Sequence, residues 1–213
     1  MENLRLYTYF RSGSAHRVRI ALALKGIAYD SAPVHLLRDG GEHLKPAYRA
    51  VNPQGRVPAL ALPGGDVLIQ SPAILEYLEE TVPQPPLLPA DPVARAKVRG
   101  VAAIIGCDIH PLNNVAVLST LRRTGQDEAA VSAWIGQWIT QGFEAVEQLI
   151  GKDGWCFGAD PGLADIYLVP QLFSARRFKV PLDGFPRILR IAALAETHAA
   201  FIAAAPENQP DAT

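Results

Sequence analysis

Leu4-Arg5-Leu6-Tyr7-Thr8-Tyr9-Phe10, followed by Ser12-Gly13-Ser14-Ala15-His16-Arg17, decides how this chain folds. The first run alternates between apolar and polar positions, the period of a strand. The run Arg17-Val18-Arg19-Ile20-Ala21-Leu22-Ala23-Leu24-Lys25-Gly26 has helical spacing and ends on a glycine stop. Small hydroxyl residues therefore sit where a strand turns into a helix. The first backbone N–H groups of a helix have no partner inside it, and the dipole there favours negative charge. A thiolate, carboxylate or phosphate would be stabilised at this point. A plainer reading is that Ser12 and Ser14 only cap the helix. The stretch by itself leaves both open.

Downstream, Ile27–Val34 reads as a second strand, which closes a β-α-β unit. Leu44–Ala50 suits a short helix, and Asn52-Pro53-Gln54-Gly55 a turn. Arg56–Leu62 reads as a strand with Pro58 at its head, where a missing donor does least harm. Pro63-Gly64-Gly65-Asp66 turns the chain into Val67–Gln70. Ser71-Pro72 then opens a helix to Glu80, with Ser71 as the expected N-cap and Pro72 at the first helical position. The order β-α-β, β-β-α fills about the first 80 residues.

Val82-Pro83-Gln84-Pro85-Pro86-Leu87-Leu88-Pro89-Ala90 is a Pro-rich connection. Beyond it the strand signals vanish. Asp91-Pro92 starts a helix from about Val93 towards Asp108, which Pro111 breaks. Asn113–Arg123 continues after the break. A long helix spans about Asp127–Ile150. Leu163–Arg177 follows with a bend expected at Pro170, then a helix from Pro186 to about Ala195, and a last short one. The expected organisation is a small α/β domain over 1–82, a linker over 83–90 and an all-α domain over 91–213.

The totals narrow the possible functions. The chain has 213 residues, is 49% hydrophobic and 19% charged, and carries a net charge of −1. No basic run or stripe suggests a nucleic-acid or anionic-membrane partner. No continuous apolar stretch reaches the length that a bilayer requires, and Arg5 and Arg11 interrupt any signal-peptide core. Two cysteines, Cys107 and Cys156, show neither metal nor disulfide spacing, so each is expected to be a small buried hydrophobe in a reducing, cytoplasmic setting. No metal site is expected.

If the strands form one sheet, the Ser12 turn, Val57-Pro58 and Gln70-Ser71 fall at neighbouring positions on one edge. Val57 would offer free backbone N–H and C=O groups. Gln70 and Ser71 would offer an amide, a hydroxyl and a helix N-terminus. Such a set suits an extended, peptide-like ligand with a terminal carboxylate.

At these residues the chain resembles the glutathione transferase superfamily, and within it the zeta class, which includes the maleylacetoacetate and maleylpyruvate isomerases. The resemblance rests on Tyr9-Phe10-Arg11-Ser12, Arg17–Leu22, Asn52-Pro53, Val57-Pro58, Gln70–Ile74 and Leu87-Leu88-Pro89. In the second half it rests on Asp108–Asn114, Leu168-Val169-Pro170-Gln171 and Arg177-Phe178-Lys179-Val180. The implied fold is a thioredoxin-like α/β N-terminal domain with an all-α C-terminal domain. Glutathione is the implied cofactor, held by Ser12, Gly13 and Ser14 at its sulfur, by Val57 backbone to backbone beside a cis Pro58, and by Gln70 and Ser71 at its γ-glutamyl end. His43, His110 and Asn114 would also line that site.

The resemblance implies cis–trans isomerisation of a maleyl keto-dicarboxylate in aromatic catabolism, by thiolate addition, bond rotation and elimination. Arg11, Arg177 and Arg176 are the candidates to hold the substrate carboxylates and the developing enolate. A homodimer is also implied. A conjugating transferase, a dehalogenase or a non-catalytic glutathione-binding module are the alternatives.

Two positions depart from the family pattern. Zeta enzymes usually read Ser-Ser-Cys where this chain reads Ser12-Gly13-Ser14, so chemistry that needs that cysteine is put in doubt. Ser12 and Ser14 are both expected to donate to a thiolate. Gly162 stands where the superfamily usually has Ser or Thr, capping the helix that contains Asp165, which is read as a buried structural residue. His16, His35 and His198 are read as surface or structural, and Trp134 and Trp138 as core or interface.

Overall fold

The computed structural model describes residues 4–212. Two compact units divide them, 1–86 with 197–213, and 87–196. The expected split assigned everything after residue 91 to the helical domain. The observed division differs because the described positions from Thr197 onward pack with the first unit.

In the first unit the strands are β1 (Leu4–Thr8), β2 (Tyr29–Pro33), β3 (Ala59–Ala61) and β4 (Val67–Ile69). The helices are α1 (Gly13–Leu24), α2 (Pro46–Arg49) and α3 (Ser71–Thr81). The sheet order is β2-β1-β3-β4. β1 runs parallel to β2, with Leu6 opposite Ser31, and antiparallel to β3, with Leu6 opposite Leu60. β3 and β4 form the expected hairpin. Every expected strand is present but shorter; Pro58 precedes β3 rather than heading its ladder. Gln70, not Ser71, is the N-cap of α3, and Ser71 is the first helical residue.

α1 is buried along nearly its whole length, Ala15 to Leu22, including His16, Arg17 and Arg19. It packs against α3 and against α9 (Ala199–Ala204) from the chain's far end. Two buried cations organise this unit. Lys25, with a fully enclosed side chain, donates to Glu79 at 2.9 Å and to the carbonyls of Val82 at 2.6 Å and Pro85 at 2.9 Å. The Pro-rich connection is therefore fixed to the first unit as far as Pro85.

Arg19 is 1% exposed. Its Nε donates to the Ala204 carbonyl, Nη1 to Thr8 Oγ1 and the Tyr9 carbonyl, and Nη2 to the Phe10 carbonyl. Arginine suits such a position because its planar fork satisfies several acceptors at once. Burial lowers its pKa to about 10, a shift opposed by Tyr29 and Asp211 nearby.

The second unit holds α4 (Pro92–Ala103), α5 (Val115–Arg123), α6 (Glu128–Leu149), α7 (Leu163–Arg177) and most of α8 (Pro186–Thr197). The Asp91 cap was expected; the caps at Asn114 and Asp127 were not singled out from sequence. Asp91 accepts from the Ala94 N–H, Asn114 from Ala116 and Asp127 from Ala130. Gly162 contributes no side chain to the start of α7, but its N–H donates to Asp165 at 2.9 Å, and Asp165 also accepts from the Cys156 N–H at 2.9 Å. α7 runs through Pro170 as one helix.

After α4 the chain loosens into a π turn over Ile104–Ile109 and a 3-10 turn over His110–Asn113, where Pro111 intervenes. Ile105 and Ile109 point inward and Cys107 is exposed, against the expectation that both cysteines are buried. Cys156 is buried, and burial pushes its thiol pKa up. Pro92–Arg123 contains an 18-residue window of mean hydropathy 1.4, an apolar length that the sequence reading did not register. It is not one straight rod, because α4 ends after 12 residues and two irregular turns follow.

Candidate active site

The turn between β1 and α1 is closed by the Ser12 N–H donating to the Tyr9 carbonyl at 2.9 Å. Ser12 is the N-cap of α1, and its Oγ accepts from the Ala15 N–H at 3.3 Å. The next two amides, Gly13 and Ser14, meet no acceptor among the described residues. Capping and anion binding are thus not exclusive here: one hydroxyl caps the helix while two amides and the positive end of the dipole remain for a ligand.

Ser14 Oγ donates to the Val57 carbonyl at 3.0 Å and lies 3.1 Å from Ser12 Oγ. A hydroxyl has one proton. With that of Ser14 directed at Val57, only Ser12 is left to donate to an incoming anion, which corrects the expectation that both would. The Val57 carbonyl is likewise engaged rather than free. Its N–H meets no acceptor among the described residues, and the Val57–Pro58 peptide is cis, as the resemblance implied.

Gln70 sits at φ 71°, in the left-handed region, at the point where β4 turns into α3. Its Nε2 donates to Gln54 Oε1 at 2.6 Å. Ser71 is buried immediately behind it. Gln54 was not singled out from sequence, although its turn was. That turn is pinned by Asn52, whose Oδ1 accepts from the Gln54 N–H and whose Nδ2 donates to the Arg56 carbonyl, an acceptor shared with the Tyr48 hydroxyl. His43 lies against the same turn, its carbonyl beside Gly55 and its ring beside Gly41. At Gly55 the backbone has φ 62° and a Cβ would press on the His43 carbonyl, so glycine is required twice over. Burial, with Arg49 nearby, lowers the His43 pKa, which favours the neutral imidazole.

Arg11 leaves the turn half-buried. Its guanidinium stands 4.7 Å from the Phe10 ring and 6.0 Å from the Tyr9 ring, and Nε has no hydrogen-bond partner among the described residues. A cation held against ring faces without a carboxylate is suited to receive one.

The first unit thus brings Ser12, Gly13, Ser14, Val57 and Pro58 together, and Gln70 and Ser71 with Gln54. Arg11 and His43 also belong to the first unit, and His110, Asn114, Arg176 and Arg177 to the second. Asn114 Oδ1 is engaged in capping α5. His110 lies in the 3-10 turn before it. Arg176 pairs with Glu196 at 2.8 Å, both well exposed, so it is already neutralised. Arg177 is exposed with its guanidinium 5.2 Å from the Phe178 ring. Trp134 and Trp138 form an edge-to-face pair at 5.6 Å, and Trp134 Nε1 donates to the Leu112 carbonyl. That contact is a packing role.

Comparison with known proteins agrees with this geometry. The glutathione S-transferase N-terminal domain family matches residues 11–81, and the glutathione S-transferase C-terminal domain family matches residues 128–193. A maleylacetoacetate isomerase of Pseudomonas aeruginosa is 65% identical over 208 residues, covering 98% of both chains. A solved holo structure of a maleylpyruvate isomerase, described as a bacterial zeta-class glutathione S-transferase, superposes with a TM-score of 0.94 at 54% identity, covering 98% of this chain and 100% of the other. A maleylacetoacetate isomerase of Anaeromyxobacter dehalogenans with glutathione bound in its active site superposes with a TM-score of 0.89 at 42% identity, covering 99% and 98%. With the hydroxyl-bearing turn, the cis Val57–Pro58 and the Gln70-Ser71 helix start in their expected places, the chain belongs to the glutathione S-transferase family, in its zeta class.

Proposed function

We propose that this chain catalyses the glutathione-dependent cis–trans isomerisation of a maleyl keto-dicarboxylate, maleylacetoacetate or maleylpyruvate, to its fumaryl isomer during aromatic catabolism. The observation that carries the reading is the arrangement at the start of α1: one proton-bearing hydroxyl, Ser12, beside two amides without acceptors. The relatives named above are isomerases of these two substrates.

The residues fit glutathione. The Val57 N–H can pair with an extended peptide backbone. The Ser71 hydroxyl at the N-terminus of α3 and the neighbouring Gln70 amide suit a carboxylate with an amino group beside it. The Gln70–Gln54 contact keeps that amide oriented. When bound, glutathione supplies the thiol that adds reversibly to the maleyl double bond. Ser12 donates its proton towards the sulfur and, with the Gly13 and Ser14 amides, favours the thiolate over the thiol. Ser14 braces Val57, and through it the peptide edge. Arg11 takes a substrate carboxylate and stabilises charge that develops on the keto side. Arg177 is the second candidate for that task. Arg176 would first have to leave Glu196.

Loss of the usual cysteine at position 14 favours the isomerase over a dehalogenase that needs a protein thiol. The intact peptide-binding edge favours a catalyst over a scaffold. We further propose that the chain works as a homodimer in the cytoplasm, where Cys107 and Cys156 stay reduced.

The test supplies maleylacetoacetate and maleylpyruvate with and without glutathione and follows fumaryl product. Glutathione-dependent turnover of at least one is expected. Absence of both overturns the assignment.

A further inference from the structure

The residues that follow α9 do more than close the chain. Asp211 Oδ2 accepts a hydrogen bond from the Phe10 N–H at 3.0 Å, across 201 residues of sequence. Phe10 lies two residues before Ser12. The Phe10 and Tyr9 carbonyls are taken by Arg19 Nη2 and Nη1, at 3.0 and 3.3 Å, while Arg19 Nε holds the Ala204 carbonyl at the end of α9. The peptide groups of the turn are therefore gripped from both sides, their oxygens by a buried guanidinium and one N–H by a carboxylate. Both grips are tied to the C-terminal segment.

We infer that Asp211 is a positioning residue for the Ser12 turn, fixing the height at which the Ser12 hydroxyl and the Gly13 and Ser14 amides meet the glutathione sulfur. The inference rests on the proposed glutathione site. A carboxylate acceptor makes this tie about twice as strong as a neutral one would. Asp211 Oδ2 is the one acceptor that the Phe10 N–H meets among the described residues. The other charged and titratable groups around the turn are Arg11, Arg19, Tyr29 and His35; the two guanidinium groups have no acceptor atom, and His35 Nδ1 already accepts from the Leu37 and Arg38 N–H groups.

The experiment uses the full-length protein and its Asp211→Ala and Asp211→Asn variants. Each is titrated with pH while the ultraviolet thiolate absorbance of bound glutathione is read, and isomerase kcat and KM are measured across the same range. For Asp211→Ala the thiolate midpoint is expected to rise. kcat/KM at neutral pH is expected to fall about 10- to 100-fold, the usual consequence of a slight misplacement of a catalytic group, and to recover as pH approaches the new midpoint. Asp211→Asn keeps an acceptor, so a smaller shift in the same direction is expected. It is the decisive variant should the alanine form fail to fold.

Thermal destabilisation with an unmoved thiolate midpoint in both variants would reduce Asp211 to a structural tie and overturn the inference. The thiolate reading needs no maleyl substrate. A wild type that binds glutathione as thiolate but isomerises nothing sinks the assigned reaction alone.

Discussion

The Ser12 and Ser14 hydroxyls stand 3.1 Å apart, and only one of their two protons is available, because Ser14 donates to Val57. The two serines are therefore unequal. In the proposed mechanism Ser12 supplies the hydroxyl proton for the sulfur, so Ser12→Ala is expected to lower kcat by about 10²- to 10³-fold, the range for loss of one donor to a catalytic anion. Ser14→Cys keeps a weak donor towards Val57 and is expected to stay within about 10-fold of wild type. Steady-state kinetics on the two variants checks the ranking. Equal losses would mean that Ser14 also serves the sulfur.

The fully enclosed Lys25 ammonium is balanced by Glu79 and two linker carbonyls. Removing one member of a buried ion pair leaves an uncompensated charge, at a cost of about 3–5 kcal/mol. Lys25→Met is expected to destabilise by that order. Lys25→Met with Glu79→Leu should lose less than the sum of the single changes, because the stranded carboxylate is gone. Urea unfolding of the single and double variants measures the coupling.

Asp165 accepts two backbone N–H groups, from Gly162 and Cys156, and is 1% exposed. Each buried amide left without an acceptor costs about 1–3 kcal/mol. Asp165→Ala should therefore lower stability by about 2–5 kcal/mol and Asp165→Asn by less, since the amide oxygen still accepts. Thermal unfolding should show the order alanine below asparagine below wild type, with the Ser12 chemistry unaffected in whatever fraction folds.

His16 is buried on α1, and burial, aided by Arg19 and Arg17, holds its pKa well below the ordinary value of 6.5. Its sign follows directly. The unfolded chain takes up this proton as pH falls through 6.5, while the folded chain does not. Stability is therefore fully present above 6.5 and is lost on acidification, with a slope that approaches about 1.4 kcal/mol per pH unit for one proton. His16→Leu should flatten this slope between neutral pH and mild acid. Chemical unfolding at several pH values tests it; an unchanged slope would assign the acid sensitivity elsewhere, His43 being the next group with a lowered pKa.

How far the fold was legible depended on how local its signals are. Strand β1, the Asp91-Pro92 start of α4, the helical spacing of α6 and the β3–β4 hairpin are encoded within a few residues, and all are read from them. The site was legible where it uses the same signals: a cap at Ser12, a proline at 58, a helix start at Gln70-Ser71. What escaped depends on partners far away in sequence. Nothing near Arg19 signals that Ala204 awaits it, and nothing near Lys25 signals Pro85. Cys107 was expected to be buried from the usual behaviour of an unpaired cysteine, and it is exposed within the π turn. The commitment of the Ser14 proton is a matter of which acceptor lies within 3.0 Å, a distance that no spacing rule carries.

The order of synthesis gives the C-terminal clasp one more consequence. A ribosome that has released residues 1–86 has supplied the whole sheet, α1 and α3, but neither Ala204 nor Asp211. Until more than a hundred further residues have emerged, Arg19 holds a turn whose other side is ungripped, and α1 lacks the helix that covers it. Domains usually complete themselves in the order in which they are made. Here the N-terminal one has to wait for Ala204 and Asp211, so a nascent chain should complete the Ser12 turn only after those residues have emerged.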